Sequence, residues 1–170
     1  MIKVASLFLA SMAFLTTHSL AAGPTADFKN DVLTQHNTNR KMFGAEPLTW
    51  SDALYPATLQ WANTCRFQHS QSGGKYGENL YAGEGGSVTF AQGMTTWMDE
   101  ASRYNYANPG FSGAGQFTQV VWKGTTQVAC AMVDCRAGTI FGMASKYIVC
   151  RYSPPGNFQG QFAQNVGRRE

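Results

Sequence analysis

Four cysteines limit this chain more than any other feature. Cys65, Cys130, Cys135 and Cys150 all lie in the last two-thirds of the 170 residues. No two of them have the C-x-x-C spacing of a zinc ribbon. An even cysteine count behind an export leader points to disulfides, and four cysteines allow three connectivities. The leader reading comes from Met1 to Ala22. A short charged start at Lys3 is followed by an apolar run from Val4 to Leu15 and then by small residues at Ala21-Ala22. The run is well short of the about 20 residues that a spanning helix needs, so the segment reads as a cleaved secretory signal and not an anchor. No later apolar run reaches spanning length. The expectation is a secreted, extracellular protein with one domain over residues 23–170 and no transmembrane segment. Removing the leader takes Lys3 from the 13 basic side chains and His18 from the three histidines, leaving His36 and His69.

The disulfides can be partly placed from local pattern. Gln127–Val133 and Lys146–Tyr152 both read as strands, and neighbouring strands would bring Cys130 to Cys150. Cys65, at the end of a helical pattern, is then left for Cys135. Spacing alone makes this a preference among the three pairings. Helical periodicity runs from about Asp27 to Phe43, with Thr25 as N-cap and Gly44 as stop. A second helix is expected after Ser51, and a third from Thr89 or Phe90 to Tyr104. A short helix is expected around residues 117–122. Residues 70–88 are rich in Gly, Ser and Gln and read as loop. Helices first and a late antiparallel hairpin indicate an α+β fold. Hydrophobic residues make up 44% of the chain and its net charge is only +3, which excludes disorder and gives no electrostatic footprint for nucleic acid.

Several segments then resemble the CAP superfamily, which includes plant pathogenesis-related protein 1, venom antigen-5 proteins, cysteine-rich secretory proteins and fungal secreted relatives. The matching pieces are His36-Asn37 with Arg40, Pro47-Leu-Thr-Trp50, Cys65-Arg-Phe-Gln-His69-Ser70 and Tyr76-Gly-Glu78-Asn-Leu80. They continue with Trp97-Met-Asp-Glu100, Gly115-Gln-Phe-Thr-Gln-Val-Val-Trp122 and Tyr147-Ile-Val-Cys150-Arg-Tyr-Ser-Pro-Pro-Gly156-Asn-Phe158. In this order they cover about residues 28–166. The compact second signature and short tail look fungal. The resemblance implies a three-layer α-β-α sandwich with a central antiparallel sheet. It also implies disulfides Cys65–Cys135 and Cys130–Cys150. A third disulfide of plant relatives is missing, because Ala114 and Gly115 stand at its place.

The resemblance further implies a cleft at His69, Glu78, Glu100 and Gln116. Relatives with the full site carry a second histidine at the last of these, and the two histidines hold a divalent metal. A glutamine amide neither titrates usefully nor replaces an imidazole as ligand. No cofactor is therefore required, and a weak zinc or magnesium site on His69 with carboxylates and water is the alternative. The other alternative for these residues is a satisfied hydrogen-bond network. His36 and Arg40 share one helix face and read as structural.

Tyr104, Tyr106, Pro109 and Phe111 resemble the aromatic loop that is implicated in holding the lipid in sterol-binding relatives. Read from the residues alone, Tyr104 could equally close the core face of the third helix while Tyr106 and Phe111 pin the loop. The leading functional expectation is a secreted protein that binds sterols or other small lipids such as fatty acids, in defence or virulence, without enzymatic turnover. The alternatives are a metal-dependent hydrolase or protease using His69 and Glu78, and an effector that binds a host or cell-surface receptor. Plant relatives release a peptide from the chain's end; Pro155-Gly156-Asn157 is present here, but the terminal sequence departs from that pattern.

Overall fold

The computed structural model describes residues 23–111 and 113–170, so the leader reading lies outside the described residues. Helix α1 spans Ala26–Lys41, and the Thr25 hydroxyl caps it by accepting from the Phe28 N–H at 3.2 Å. Its buried side chains are Val32, His36 and Arg40, the face that the i, i+4 spacing indicates. Strand β1 is only Thr49–Trp50. Helix α2 is Tyr55–Ala62, later than the expected start. Ser51 does not cap it: Pro56 occupies the first helical turn, and Ser51 instead donates its N–H to the Val128 carbonyl of the sheet.

Helix α3 covers Phe90–Asp99 behind a reciprocal capping box between Thr89 and Gln92. It tightens into a 3-10 turn over Glu100–Arg103 and does not run on as α-helix to Tyr104. Gly93 inside α3 allows a close approach to the sheet, because a Cβ there would sit tightly, 3.2 Å from Ile148 and 3.3 Å from Tyr81. Short α4 (Gly115–Val120), strands β3 (Gln127–Cys135) and β4 (Ser145–Ser153), and α5 (Phe162–Asn165) follow.

Strand β2, Gly77–Glu84, occupies part of the segment expected to be loop. It lacks period-two alternation, and glycines occupy positions 77 and 83. It forms because it pairs along its whole length with β4, Gly77 opposite Tyr152 and Glu84 opposite Ser145. The sheet order is β1-β3-β4-β2. Its three long strands are antiparallel as expected, and the two-residue β1 adds a parallel pairing to β3.

The two faces of this sheet bury separate cores. Val128, Cys130, Ile148, Cys150 and Tyr152 face α1, α3 and α4, where Phe90, Trp97 and Phe117 pack. Ala131, Cys135, Tyr147 and Val149 face α2 at Ala62. This is the three-layer α-β-α arrangement. Both disulfides form as Cys65–Cys135 and Cys130–Cys150. The second joins residues directly opposite each other on β3 and β4. Among the described residues no helix is long and apolar enough to cross a membrane.

Candidate functional site

The site begins at β2, whose pairing with β4 places Glu78 opposite Arg151. Both side chains are buried, and Arg151 Nε donates to Glu78 Oε2 at 3.1 Å. Ser70 donates its hydroxyl to Oε2 at 2.6 Å and its N–H to Oε1 at 2.8 Å. His69 Nδ1 lies 3.2 Å from Oε1, while the ring is 64% exposed. Arg151 Nη2 also donates to the Ser70 hydroxyl at 3.0 Å, and its guanidinium stacks 4.2 Å over the Tyr76 ring. Burial pushes the Glu78 carboxyl up, but the bonds from His69, Ser70 and Arg151 outweigh it and hold it below the usual range. A carboxylate ionised this firmly is a poor general base at neutral pH.

Glu100 and Gln116 have equally defined partners. Glu100 Oε2 accepts the Gln116 N–H at 2.8 Å and the Phe117 N–H at 3.1 Å. It therefore caps α4, whose own N-cap residue Ala114 offers no side-chain bond. The other end of α4 meets Arg40, which donates to the carbonyls of Val120 at 2.8 Å and Trp122 at 2.9 Å. A six-residue helix is too short to hold itself in water, so a carboxylate and a guanidinium from other elements clamp it. The Gln116 amide then turns onto the free edge of β2. Its Nε2 donates to the Leu80 carbonyl at 3.1 Å, and its Oε1 accepts the Leu80 N–H at 3.2 Å. The side chain mimics one residue of a neighbouring strand.

His69, Glu78, Glu100 and Gln116 all line one cavity of about 410 Å³, so the four positions do converge. They do not fit a two-imidazole metal centre. His69 supplies the single imidazole, both Gln116 amide atoms are engaged, and both carboxylates accept several donors. Among the described residues, the one group of three potential ligands whose atoms converge is His36, Cys130 and Cys150, and its sulfurs are joined in a disulfide. His36 itself donates Nδ1–H to the Val32 carbonyl at 2.8 Å, so Nε2 accepts from the Tyr152 hydroxyl at 2.9 Å. Burial lowers this imidazole to about 4, against the smaller opposing effect of the Val32 bond.

The aromatic loop divides. Tyr104 is buried against Tyr106 at 4.7 Å and Phe117 at 5.8 Å between ring centres. Its hydroxyl has no hydrogen-bond partner among the described residues. Tyr106 donates its hydroxyl to the Gly167 carbonyl at 2.8 Å, and Pro109 is half-buried. Phe111 turns the other way, 61% exposed, onto the wall of the polar cavity. Tyr106 also lines a separate groove of about 810 Å³, with Met42 and Phe43 just beyond α1, Met98 of α3, Ala101 and the tail residues Arg168 and Arg169. A further hollow of about 320 Å³ shares Asn39, Met98 and Asp99 with this groove and runs between α1 and α3. Sequence reasoning missed Arg151, Arg168 and Arg169. An arginine inside the apolar run Tyr147–Tyr152 was the available signal for the first.

The architecture and two staples define the class: a three-layer, disulfide-bonded sandwich with a polar cleft at one end of its sheet. CAP, described as the Cysteine-rich secretory protein family, matches residues 33–152. The chain belongs to this family. Protein PRY2 of Saccharomyces cerevisiae is 42% identical over 146 residues, covering 82% of this chain and 41% of PRY2. Pathogenesis-related protein 1A of Nicotiana tabacum is 40% identical over 141 residues, covering 78% of this chain and 79% of that protein. The chain thus spans less than half the length of the yeast relative. The crystal structure of NaASP2 with Zn2+ shares the fold at a TM-score of 0.70 and 20% identity, over 89% of this chain and 90% of that one.

Proposed function

We propose that this protein is a secreted, non-enzymatic CAP-domain carrier of small lipids, sterols or fatty acids, acting in defence or virulence. In this reading residues 1–22 are the cleaved export leader and residues 23–170 the single carrier domain. The carrying observation is the groove beside α1, large enough for a lipid, where Met42, Phe43, Met98, Ala101 and Tyr106 form the apolar part of a lining that is otherwise polar. Tyr106 links this groove to the aromatic loop picked out in the sequence. The polar cleft supports the same conclusion from the other side. Glu78 is paired with Arg151, the Ser70 hydroxyl donates a hydrogen bond to Glu78, and Gln116 is spent on the β2 edge. Glu78, Ser70 and Gln116 are each engaged by other parts of the fold, which favours a binding protein over a hydrolase.

Binding of cis-parinarate and of dehydroergosterol, two fluorescent lipids, tests the proposal on secreted protein. Saturable binding of at least one is expected. Ala101→Trp, which adds bulk to the groove at a partly exposed position, is expected to abolish it with unchanged thermal stability. Absence of saturable binding to both probes, or full binding by the variant, would overturn the proposal.

A further inference from the structure

The tail that walls the groove is fixed to α1 and carries two uncompensated cations. Gly167 passes so close to the Phe43 carbonyl that a Cβ there would collide with it. Tyr106 holds the Gly167 carbonyl, and the Glu170 N–H donates to the Met42 carbonyl at 2.9 Å. Val166, just before, is buried. The strap therefore sets Arg168 and Arg169 on the rim of the groove. The Arg168 guanidinium lies 4.6 Å over the Tyr106 ring, and Arg169 Nη2 lies 3.5 Å from the Met42 sulfur. Each cation is thus laid along an apolar wall residue. Among the described residues neither arginine forms a salt bridge, and Asp99, which also lines the groove, pairs with neither.

We infer that Arg168 and Arg169 make this groove selective for lipids with a carboxylate head, their guanidiniums gripping the carboxylate while the acyl chain lies on Met42, Met98 and Tyr106. The inference rests on the lipid-carrier reading of the same groove. A planar guanidinium pairs with a carboxylate through two parallel hydrogen bonds, and a neutral alcohol offers no such partner. Head-group choice is then set by the strap and by none of the residues of the His69–Gln116 cleft.

Oleate and oleyl alcohol share a chain and differ in the head, so titration of the secreted protein with each tests the inference. Wild type is expected to bind oleate at least about tenfold more tightly than oleyl alcohol, the scale of a charge-assisted pair. The double variant Arg168→Ala/Arg169→Ala is expected to lose that preference by weakening oleate alone. Arg168→Lys/Arg169→Lys, which keeps the charge and the stems, is expected to retain part of it. Thermal midpoints monitor folding of all three. Equal wild-type affinity for both lipids would overturn the inference while leaving the carrier reading intact. So would parallel losses for both lipids in the alanine variant. Failure of wild type to bind either lipid would overturn both.

Discussion

The cleft and the groove are both lined by polar and charged groups, yet they differ in what those groups do. In the cleft, Glu78, Ser70, Arg151, Glu100 and Gln116 are each bonded to another part of the fold. In the groove, Arg168 and Arg169 face open space with no ionic partner among the described residues. Buried polar groups must be satisfied, and once satisfied they rigidify what they join. Exposed charges beside an apolar lining have no such duty and are free for a ligand. The comparison teaches that the more conspicuous constellation is built as scaffold, whereas the less conspicuous one is the surface that the proposed lipid binding would use.

Three experiments would break or sharpen it. The largest effect belongs to Arg151→Met. It strands a buried carboxylate that Ser70 and His69 must then satisfy alone, and is expected to lower stability by about 3 kcal/mol or more. Chemical denaturation measures this; affinity for lipid per folded molecule is expected to stay unchanged. A variant that kept its stability but lost lipid binding would reverse the assignment of the two regions.

The next effect is on pH. The folded His36 imidazole sits at about 4, below the 6.5 of the free group. Between those values the unfolded chain takes up a proton that the native chain refuses. Stability therefore falls as pH drops from 6.5 towards 4, by up to about 3 kcal/mol. Glu78 acts in the same direction: its lowered native value means that its contribution, present above the unfolded value, is lost as pH falls through the folded one. Thermal midpoints from pH 7 to 4 should decline, and His36→Gln should make the decline shallower. A flat profile would mean that His36 and Glu78 do not carry this charge linkage.

The smallest effect is expected at Gln116. Replacing it with Leu removes two bonds at the edge of β2, worth about 1 to 2 kcal/mol together, at a partly buried site. Faster hydrogen exchange at the Leu80 amide is the specific signature. An unchanged exchange rate would show that the amide clip does not protect the strand.

Much of the scaffold could be read directly from the chain. The spacing of Val32, His36 and Arg40 indicated the buried stripe of α1, and local strand pattern favoured the pairing of Cys130 with Cys150. Strand β2 was hidden because its glycines and mixed burial carry no alternation; its conformation comes from β4, far away in sequence. The membership of the cleft was legible through the motifs, but its state was not. Whether Gln116 faces the cavity or the strand edge depends on α4, and α4 depends on Glu100 and Arg40 reaching its two ends. Tyr104 and Phe111 looked like partners in one aromatic patch, and the loop's path sent them to opposite sides.

By itself, the sequence determined the helix faces, the cysteine count, the family and the substitution that removes the second imidazole. These depend on residue type and short-range periodicity, which a linear chain displays. Only the tertiary structure decided which polar groups are consumed and which are left over. That depends on long-range pairs such as Glu78–Arg151 and Arg40–Val120, and on the strap that returns Gly167 to Phe43. Satisfaction of a buried donor or charge is a property of its three-dimensional neighbours.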